Sequence, residues 1–149
     1  MIRTLAAGAA IAMTLAILPA TMPRAAEPTD PQVVARTDAM KTIGRNMRVL
    51  GDMAKGSAAF DAAAAQEAAA AVAAEAAAIP ALFEDPAQDP ASESRPVIWE
   101  QYDDFTAKAA DLERAASGAA SQITAAADLG PAMGAIGATC KACHSTYRE

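Results

Sequence analysis

The stretch Cys140-Lys141-Ala142-Cys143-His144, which ends five residues before the C-terminus, holds both cysteines and the only histidine of the 149-residue chain. C-x-x-C-H is the attachment signature of c-type haem. In such a motif the two thiols bond to the porphyrin vinyl groups and the adjacent imidazole becomes an axial ligand of the iron. Positions i, i+3 and i+4 share one face of a helix, so Cys140, Cys143 and His144 can reach one side of a flat macrocycle. The motif predicts one haem c per chain.

Closely spaced cysteines also occur in three other kinds of site. A thioredoxin-like redox pair lies between a strand and a helix, but nothing before Cys140 has the pattern of a strand. A zinc site needs four ligands, and only carboxylates remain after two thiols and one imidazole. A structural disulfide would leave no thiol for a cofactor. Covalent haem is the interpretation that uses all three functional residues of the motif.

The N-terminus has the pattern of a signal peptide. Arg3 precedes an apolar run over residues 5–18, and small residues follow near Ala20 and Ala26. The run is short for a membrane span and no apolar sequence continues it. We therefore predict a signal peptide over residues 1–26, cleaved between about residues 20 and 26, and one mature domain over residues 27–149. Export to the periplasm agrees with C-x-x-C-H, because bacterial c-type haem is attached outside the cytoplasmic membrane.

The chain is acidic. Removal of residues 1–26 would take away Arg3 and Arg24 and no acid, so the formal charge would change from −6 to −8. Such a protein is a poor candidate for nucleic-acid or anionic-membrane binding, and we expect neither nucleic-acid binding nor stable membrane insertion. The charge favours redox partner proteins that carry basic patches. The alternative is that the charge only keeps the protein soluble.

Hydrophobic spacing and helix-terminal residues predict two helices in the first half of the mature chain. Asp30 and Pro31 begin the first, and Gly56 stops it. Ser57 is the predicted cap of the second. Alanine supplies 15 of the 21 residues over 58–78, which favours a helix with a smooth surface that a neighbouring helix can approach closely.

Two more helices follow a proline-rich crossover loop over residues 79–96. The third begins near Pro96, with Ser94 as its cap, and ends near Ala127. The fourth begins at residues 128–131. Its inward stripe is spaced by fours and threes: Leu129, Met133, Ile136, Cys140, Cys143 and Tyr147. These patterns predict an all-α, antiparallel four-helix bundle with covalently bound c-type haem near the C-terminus.

The sixth ligand of the iron is not decided by spacing alone. Because His144 is the only histidine, methionine, lysine, water or an open position remains. Met133 precedes His144 on the same helix by about 16 Å along the axis. Met40 and Met47 both lie on the inward stripe of the first helix, about 10 Å apart, so only one of them can face the iron. A methionine in an apolar stripe is more often core filler than a ligand.

Residues 137–148, Gly-Ala-Thr-Cys-Lys-Ala-Cys-His-Ser-Thr-Tyr-Arg, resemble the C-terminal helix of class II cytochromes c, the cytochrome c′ family. Residues 36–41, Arg-Thr-Asp-Ala-Met-Lys, are similar to the first helix of that family, where an Arg is followed four residues later by the side chain over the haem. Gly-Arg-Asn-Met at 44–47 and Ile98-Trp99 also match. The resemblance covers the whole mature chain and implies the same four-helix bundle.

The resemblance also implies a function. One branch of the family leaves the sixth site open beneath Leu, Phe or Met and binds gases such as NO; the low-spin branch uses Met as sixth ligand and carries electrons. Met40 occupies the deciding position, and residues 44–51 look more like the low-spin branch. The implied protein is a periplasmic electron carrier, not an enzyme, with iron bound by His144 and Met40. The alternative is a five-coordinate cytochrome c′ that binds NO or CO.

Two arginines and an oligomeric state complete what the resemblance implies. Arg36 would pair with a haem propionate, an ordinary role for a planar cationic donor, and Arg148 would lie near the haem. The alternative is that both are solvated surface charges. Members of the family often form a homodimer through their first two helices.

Overall fold

The computed structural model describes residues 27–149, so the predicted signal peptide and its cleavage site lie outside the described residues. Within this range the chain is helical and forms no strand: α1 (Pro31–Ala54), α2 (Ala62–Leu82), α3 (Val97–Glu100), α4 (Tyr102–Gln122), a short 3₁₀ helix (Ala126–Asp128) and α5 (Leu129–Tyr147). The four long helices pack as a ring in which α1 contacts α2, α2 contacts α4, α4 contacts α5, and α5 contacts α1. The predicted four-helix bundle is confirmed.

Helix α1 begins and ends at the predicted residues. The Asp30 carboxylate accepts hydrogen bonds from the backbone N–H groups of Gln32 (2.8 Å) and Val33 (3.3 Å), and Pro31 occupies the first helical position. Gly56 follows the helix with φ of +73°, a left-handed conformation that glycine adopts without steric cost.

Helix α2 corrects two predictions. Its cap is Asp61, whose carboxylate accepts from the Ala64 N–H at 3.0 Å, while the hydroxyl of Ser57 bonds back to the carbonyl of Asp52. Residues 57–61 therefore form an irregular connection after Gly56, and Asp61 is the next residue able to cap a helix. The helix also continues through Pro80 to Leu82. A proline this close to the C-terminal end removes only one backbone hydrogen bond from the helix.

Composition alone does not separate α2 from a membrane span, since it is long and apolar enough to cross a bilayer. Its packing identifies it as a bundle helix, because it lies between α1 and α4. Seven of its side chains are buried there: Ala65, Ala68, Ala69, Val72, Ala73, Ala76 and Ile79.

The predicted third helix is interrupted. Gln101, with φ of −126° and ψ of 42°, separates α3 from α4, and no side chain, Ser94 included, caps α3. The indole N–H of Trp99 donates to the Phe83 carbonyl at 2.8 Å, and the Tyr102 hydroxyl donates to the Pro80 carbonyl at 2.6 Å. These two bonds attach both sides of the break to the end of α2. Helix α4 ends at Gln122, before the predicted Ala127.

Candidate haem site

The site is a cavity of about 540 Å³ between α1, α5 and the crossover loop, which spans residues 83–96. Its volume lies within the range of about 300–1,000 Å³ that is usual for cofactor pockets. Side chains from these three elements line it, and α2, α3 and α4 contribute one residue each. Its apolar lining includes Val33, Ile79, Phe83, Ile98, Phe105 and Tyr147, all of them buried.

Helix α5 presents the motif to this cavity. Cys143 and His144 both line it, and Cys140 lies one turn earlier, half-buried against the hydrophobic core. Neither cysteine forms a disulfide. The last turn of α5 is fixed by Tyr147, which is 3 % exposed and packs edge-on against Phe105 with ring centroids 5.3 Å apart.

The electrostatics of the motif disfavour thiol chemistry and favour a neutral imidazole. Burial raises the pKa of Cys143 to about 11 and also raises the pKa of Cys140, so both thiols are protonated at neutral pH and are poor nucleophiles. His144 stands exposed on one side at the cavity mouth. Desolvation of its other side, together with the nearby Arg148 guanidinium, lowers the pKa of the imidazole. The neutral ring is the form that binds a metal.

The zinc alternative finds no site among the described residues. Over residues 27–149, no group of three or more His, Cys, Asp and Glu side chains could hold a metal ion.

Of the methionines considered as sixth ligand, only Met40 lines the cavity. It extends from α1 into the same space that Cys143 and His144 line from α5, next to Lys41. Met47 and Met133 are half-buried elsewhere against the core. The position of Met40 agrees with the role that the resemblance implies, and ligation by Met40 stays a prediction.

Arg36 also lines the cavity, but most of its hydrogen bonds serve the crossover loop. The side chain is 3 % exposed. Its guanidinium donates to the carbonyl oxygens of Leu82 (2.9 Å), Ala87 (2.8 Å) and Asp85. It also stacks between two aromatic rings, 4.6 Å from the Phe83 centroid and 5.3 Å from that of Trp99. Arg36 is therefore not a solvated surface charge, and its bond to a propionate stays a prediction.

Arg148 lines the cavity mouth and is paired with the crossover loop. Its Nε donates to Oε2 of Glu93 at 2.6 Å, and both side chains are about half-exposed. Backbone bonds reinforce the pair, because the Arg95 N–H donates to the Tyr147 carbonyl and the Glu149 N–H donates to the Glu93 carbonyl, both at 3.0 Å. The C-terminus and the crossover loop thus form one continuous wall beside His144.

Sequence reasoning missed Glu93 and Phe83 as site residues. The acids of the crossover loop were visible, and so was the Phe83 side chain, but nothing local shows that this loop folds over the end of α5. The contacts that place it there join residues separated by about 50 positions in the chain, such as Arg95 with Thr146.

The chemistry of this donor set fits haem c. Two unpaired thiols and one imidazole share a helical face, and the cavity beside them has an apolar lining. Arg36 and Arg148 both line the cavity, and arginine side chains suit the carboxylate groups of a porphyrin. Cys140 and Cys143 would hold the macrocycle, and His144 would bind its iron.

Comparisons with known proteins agree with this assignment. The family model described as cytochrome C′ matches residues 31–148. A cytochrome c-556 from Agrobacterium fabrum is 37% identical over 118 residues, which cover 78% of this chain and 80% of the relative. A cytochrome c′ from Pararhodospirillum photometricum is 38% identical over 117 residues, covering 76% and 93%. The solved structure of cytochrome c′ from Rhodopseudomonas palustris is 31% identical with a TM-score of 0.75, covering 81% and 98%. The chain therefore belongs to the cytochrome c′ family and is a c-type cytochrome that carries covalently attached haem c.

Proposed function

We propose that this protein carries single electrons through a haem c whose iron is bound by His144 and Met40. The observation that supports the proposal most strongly is the shared cavity, which Met40 lines from α1 and which Cys143 and His144 line from α5. When bound, haem supplies the one-electron couple of its iron, and methionine ligation raises the reduction potential of that couple. A sixth ligand from the protein also leaves no open position for a gas.

The protein's own residues would hold the two axial ligands in place. The thioether bonds of Cys140 and Cys143 fix the porphyrin to α5. Val33 and Ile98, 2 % exposed each, exclude water from the apolar lining. Because both ligands belong to packed helices, the ligand set need not change when the iron gains or loses an electron.

The cellular setting is part of the proposal. The motif requires attachment outside the cytoplasm, so we place the mature chain in the periplasm after cleavage between about residues 20 and 26. An electron carrier with both axial positions filled is not an enzyme. A homodimer through the first two helices stays a prediction, which sedimentation equilibrium of the holoprotein would test.

The second candidate is a five-coordinate cytochrome c′ that binds NO or CO, with Met40 only packing above the iron. The observation in its favour is that the relatives include a protein named cytochrome c′ at 38% identity as well as a cytochrome c-556. The same fold therefore occurs under both names, and the state of the sixth position distinguishes the two candidates.

The test is a pair of matched substitutions on α1. Met40→Leu should give a high-spin spectrum, open the iron to carbon monoxide and lower the reduction potential. Met47→Leu, which changes a half-buried methionine that does not line the cavity, should leave all three properties as they are. If Met40→Leu changes none of them, Met40 is not a ligand. If Met47→Leu opens the iron instead, the ligand is Met47.

A further inference from the structure

The charges of this acidic protein are unevenly distributed over its surface. Residues 39–51 of α1 and all of α5 contain no carboxylate. They do contain exposed cations: Lys41, Arg45, Arg48 and Lys141. We call the exposed surface on both sides of the contact between these two segments the seam surface.

Most of the acids lie on the other elements, although α1 carries Asp38 and Asp52 on either side of residues 39–51. Helix α2 carries Glu67 and Glu75 and no cation, and the crossover loop has four acids against one arginine. Helix α4 has four acids and two cations. The net negative charge thus lies mostly on the α2, α4 and crossover faces. Helices α1 and α5 together carry four exposed cations against two acids, so the seam surface has the opposite sign.

The seam surface lies where the haem site is. Met40 enters the cavity from α1, and Cys143 and His144 enter it from α5, so the two helices that hold the site are the two that border the seam. Helices α1 and α5 also approach each other closely at Gly51, where an added Cβ would lie 3.5 Å from Cε of Met133. Because α1 and α5 both line the cavity, they offer a short path for an electron to reach a partner.

The cations of the seam surface are available to a partner. Arg48 and Lys141 form no ion pair within residues 27–149, and Lys41 has only an exposed contact with Asp38 at 3.5 Å. The surface between them is smooth as well. Exposed glycines lie on both helices, and a Cβ built on Gly44, Gly134 or Gly137 would meet no atom within 4 Å.

We infer that the protein exchanges electrons through the seam surface, and that this surface docks a redox protein with an acidic patch. The inference rests on the proposed electron-transfer function. It is opposite to the expectation from net charge, which favours a basic partner. At physiological ionic strength, charges more than about 8 Å apart are largely screened, so a docked partner senses the nearest charges and not the sum over the molecule. Complementary charge at the contact mainly raises the association rate.

The test uses a small charged oxidant as a probe of local charge. Hexacyanoferrate(III), a trivalent anion, takes one electron from the ferrous holoprotein, giving hexacyanoferrate(II) and ferric protein with no proton transfer. Its rate constant should fall at least about threefold as ionic strength rises from about 0.01 M to about 0.1 M, because salt screens attraction. The cationic oxidant tris(phenanthroline)cobalt(III) should show the reverse dependence. A rate with hexacyanoferrate(III) that rises with salt would overturn the inference.

Charge-reversal variants locate the effect. Arg48→Glu combined with Lys141→Glu should remove the fall with salt or reverse it, while the absorption spectrum stays unchanged. Arg114→Glu is the matched control, because Arg114 is an exposed cation of α4 that pairs with Asp111. If the control alters the salt dependence as much as the double variant does, the seam surface is not the route.

Two further measurements separate this inference from the proposed ligation and from docking of a second copy of the chain. Carbon monoxide binding to the unsubstituted protein would contradict the proposed ligation, whereas the salt dependence reports only the charge beside the route of the electron. Sedimentation equilibrium tests whether the occupant is a second copy of this chain. A dimer that Arg48→Glu with Lys141→Glu dissociates would replace the acidic redox protein as the partner and overturn that part of the inference.

Discussion

Replacing Arg36 with methionine should lower the free energy of unfolding by about 3 kcal/mol, which is large for one substitution in a domain of this size. The side chain donates three hydrogen bonds to carbonyl groups at and beyond the end of α2. A hydrogen bond from a charged donor contributes about 1.5–3 kcal/mol, and we take about 1 kcal/mol each here because these three bonds are only partly buried. The two aromatic contacts add about 0.5–1 kcal/mol each, which the apolar methionine chain partly offsets.

The assay is urea unfolding of the covalent holoprotein, followed by far-ultraviolet circular dichroism. Arg114→Met serves as the control, because its exposed pair with Asp111 should contribute no more than about 0.5 kcal/mol. Amide hydrogen exchange adds a local readout. The Arg95 N–H, which bonds to the Tyr147 carbonyl, should exchange faster in the Arg36 variant, because the loop that carries it loses its anchor.

A free energy of unfolding within about 1 kcal/mol of the unsubstituted protein, with unchanged exchange at Arg95, would refute this reasoning. The same variant tests the propionate. If Arg36 also binds that carboxylate, Arg36→Met removes a cation that favours the reduced state, so the reduction potential falls. An unchanged potential together with the lost stability would show that Arg36 serves the crossover loop alone.

Asp89 accepts four hydrogen bonds, which lower its pKa to about 2, so its stabilising effect is present above about pH 4 and is lost as the pH falls through about 2. Asp89→Asn should therefore lower the urea midpoint at about pH 7 and have little effect at about pH 2, and an equal effect at both would contradict this. Tyr147→Phe removes a 2.5 Å bond to Asp104 and should cost about 1.5 kcal/mol near neutral pH. Burial raises the pKa of Tyr147 to about 12, so the difference from the unsubstituted protein should shrink between about pH 10 and 12, and urea unfolding at about pH 7 and pH 11 checks it. Cys140→Ala with Cys143→Ala should give a largely unfolded chain by circular dichroism, because the alanine-rich bundle lacks core without haem; a well-folded apoprotein would disprove this.

The parts of the fold that were predictable from sequence have local causes. The Asp30 cap, the Gly56 stop and the periodic stripe of α5 each depend on residues within a few positions of one another, and all three are present. The same is true of the haem motif, in which three residues over one helical turn carry the chemistry.

The parts that were not predictable depend on contacts between distant residues. The break at Gln101 follows from hydrogen bonds that join Trp99 and Tyr102 to the end of α2, 16 and 22 residues earlier. Arg36 looked like a propionate partner or a surface charge, because no local pattern shows the crossover loop closing over it. The cap of α2 was misplaced for a different reason: Ser57 and Asp61 are both residues that can cap a helix, and nothing in the neighbouring sequence distinguishes them.

The charge of the seam surface is visible in the sequence, but its position beside the haem cavity is not. The cations of α1 and the absence of acids in α5 are visible in the sequence, while the fact that these two helices border the haem cavity comes from the fold. Net charge is a sum over the whole surface, whereas a docked partner contacts only one part of that surface.

The most direct test of the account is the absorption spectrum of the purified holoprotein, oxidised and reduced, before and after exposure to carbon monoxide. Ligation by His144 and Met40 predicts a low-spin spectrum with the weak far-red sulfur-to-iron band in the oxidised protein, and no change when the gas is added to the reduced protein. A high-spin spectrum that shifts readily with carbon monoxide would contradict this ligation. Met40 would then be a packing residue, and the protein would be a gas-binding cytochrome c′.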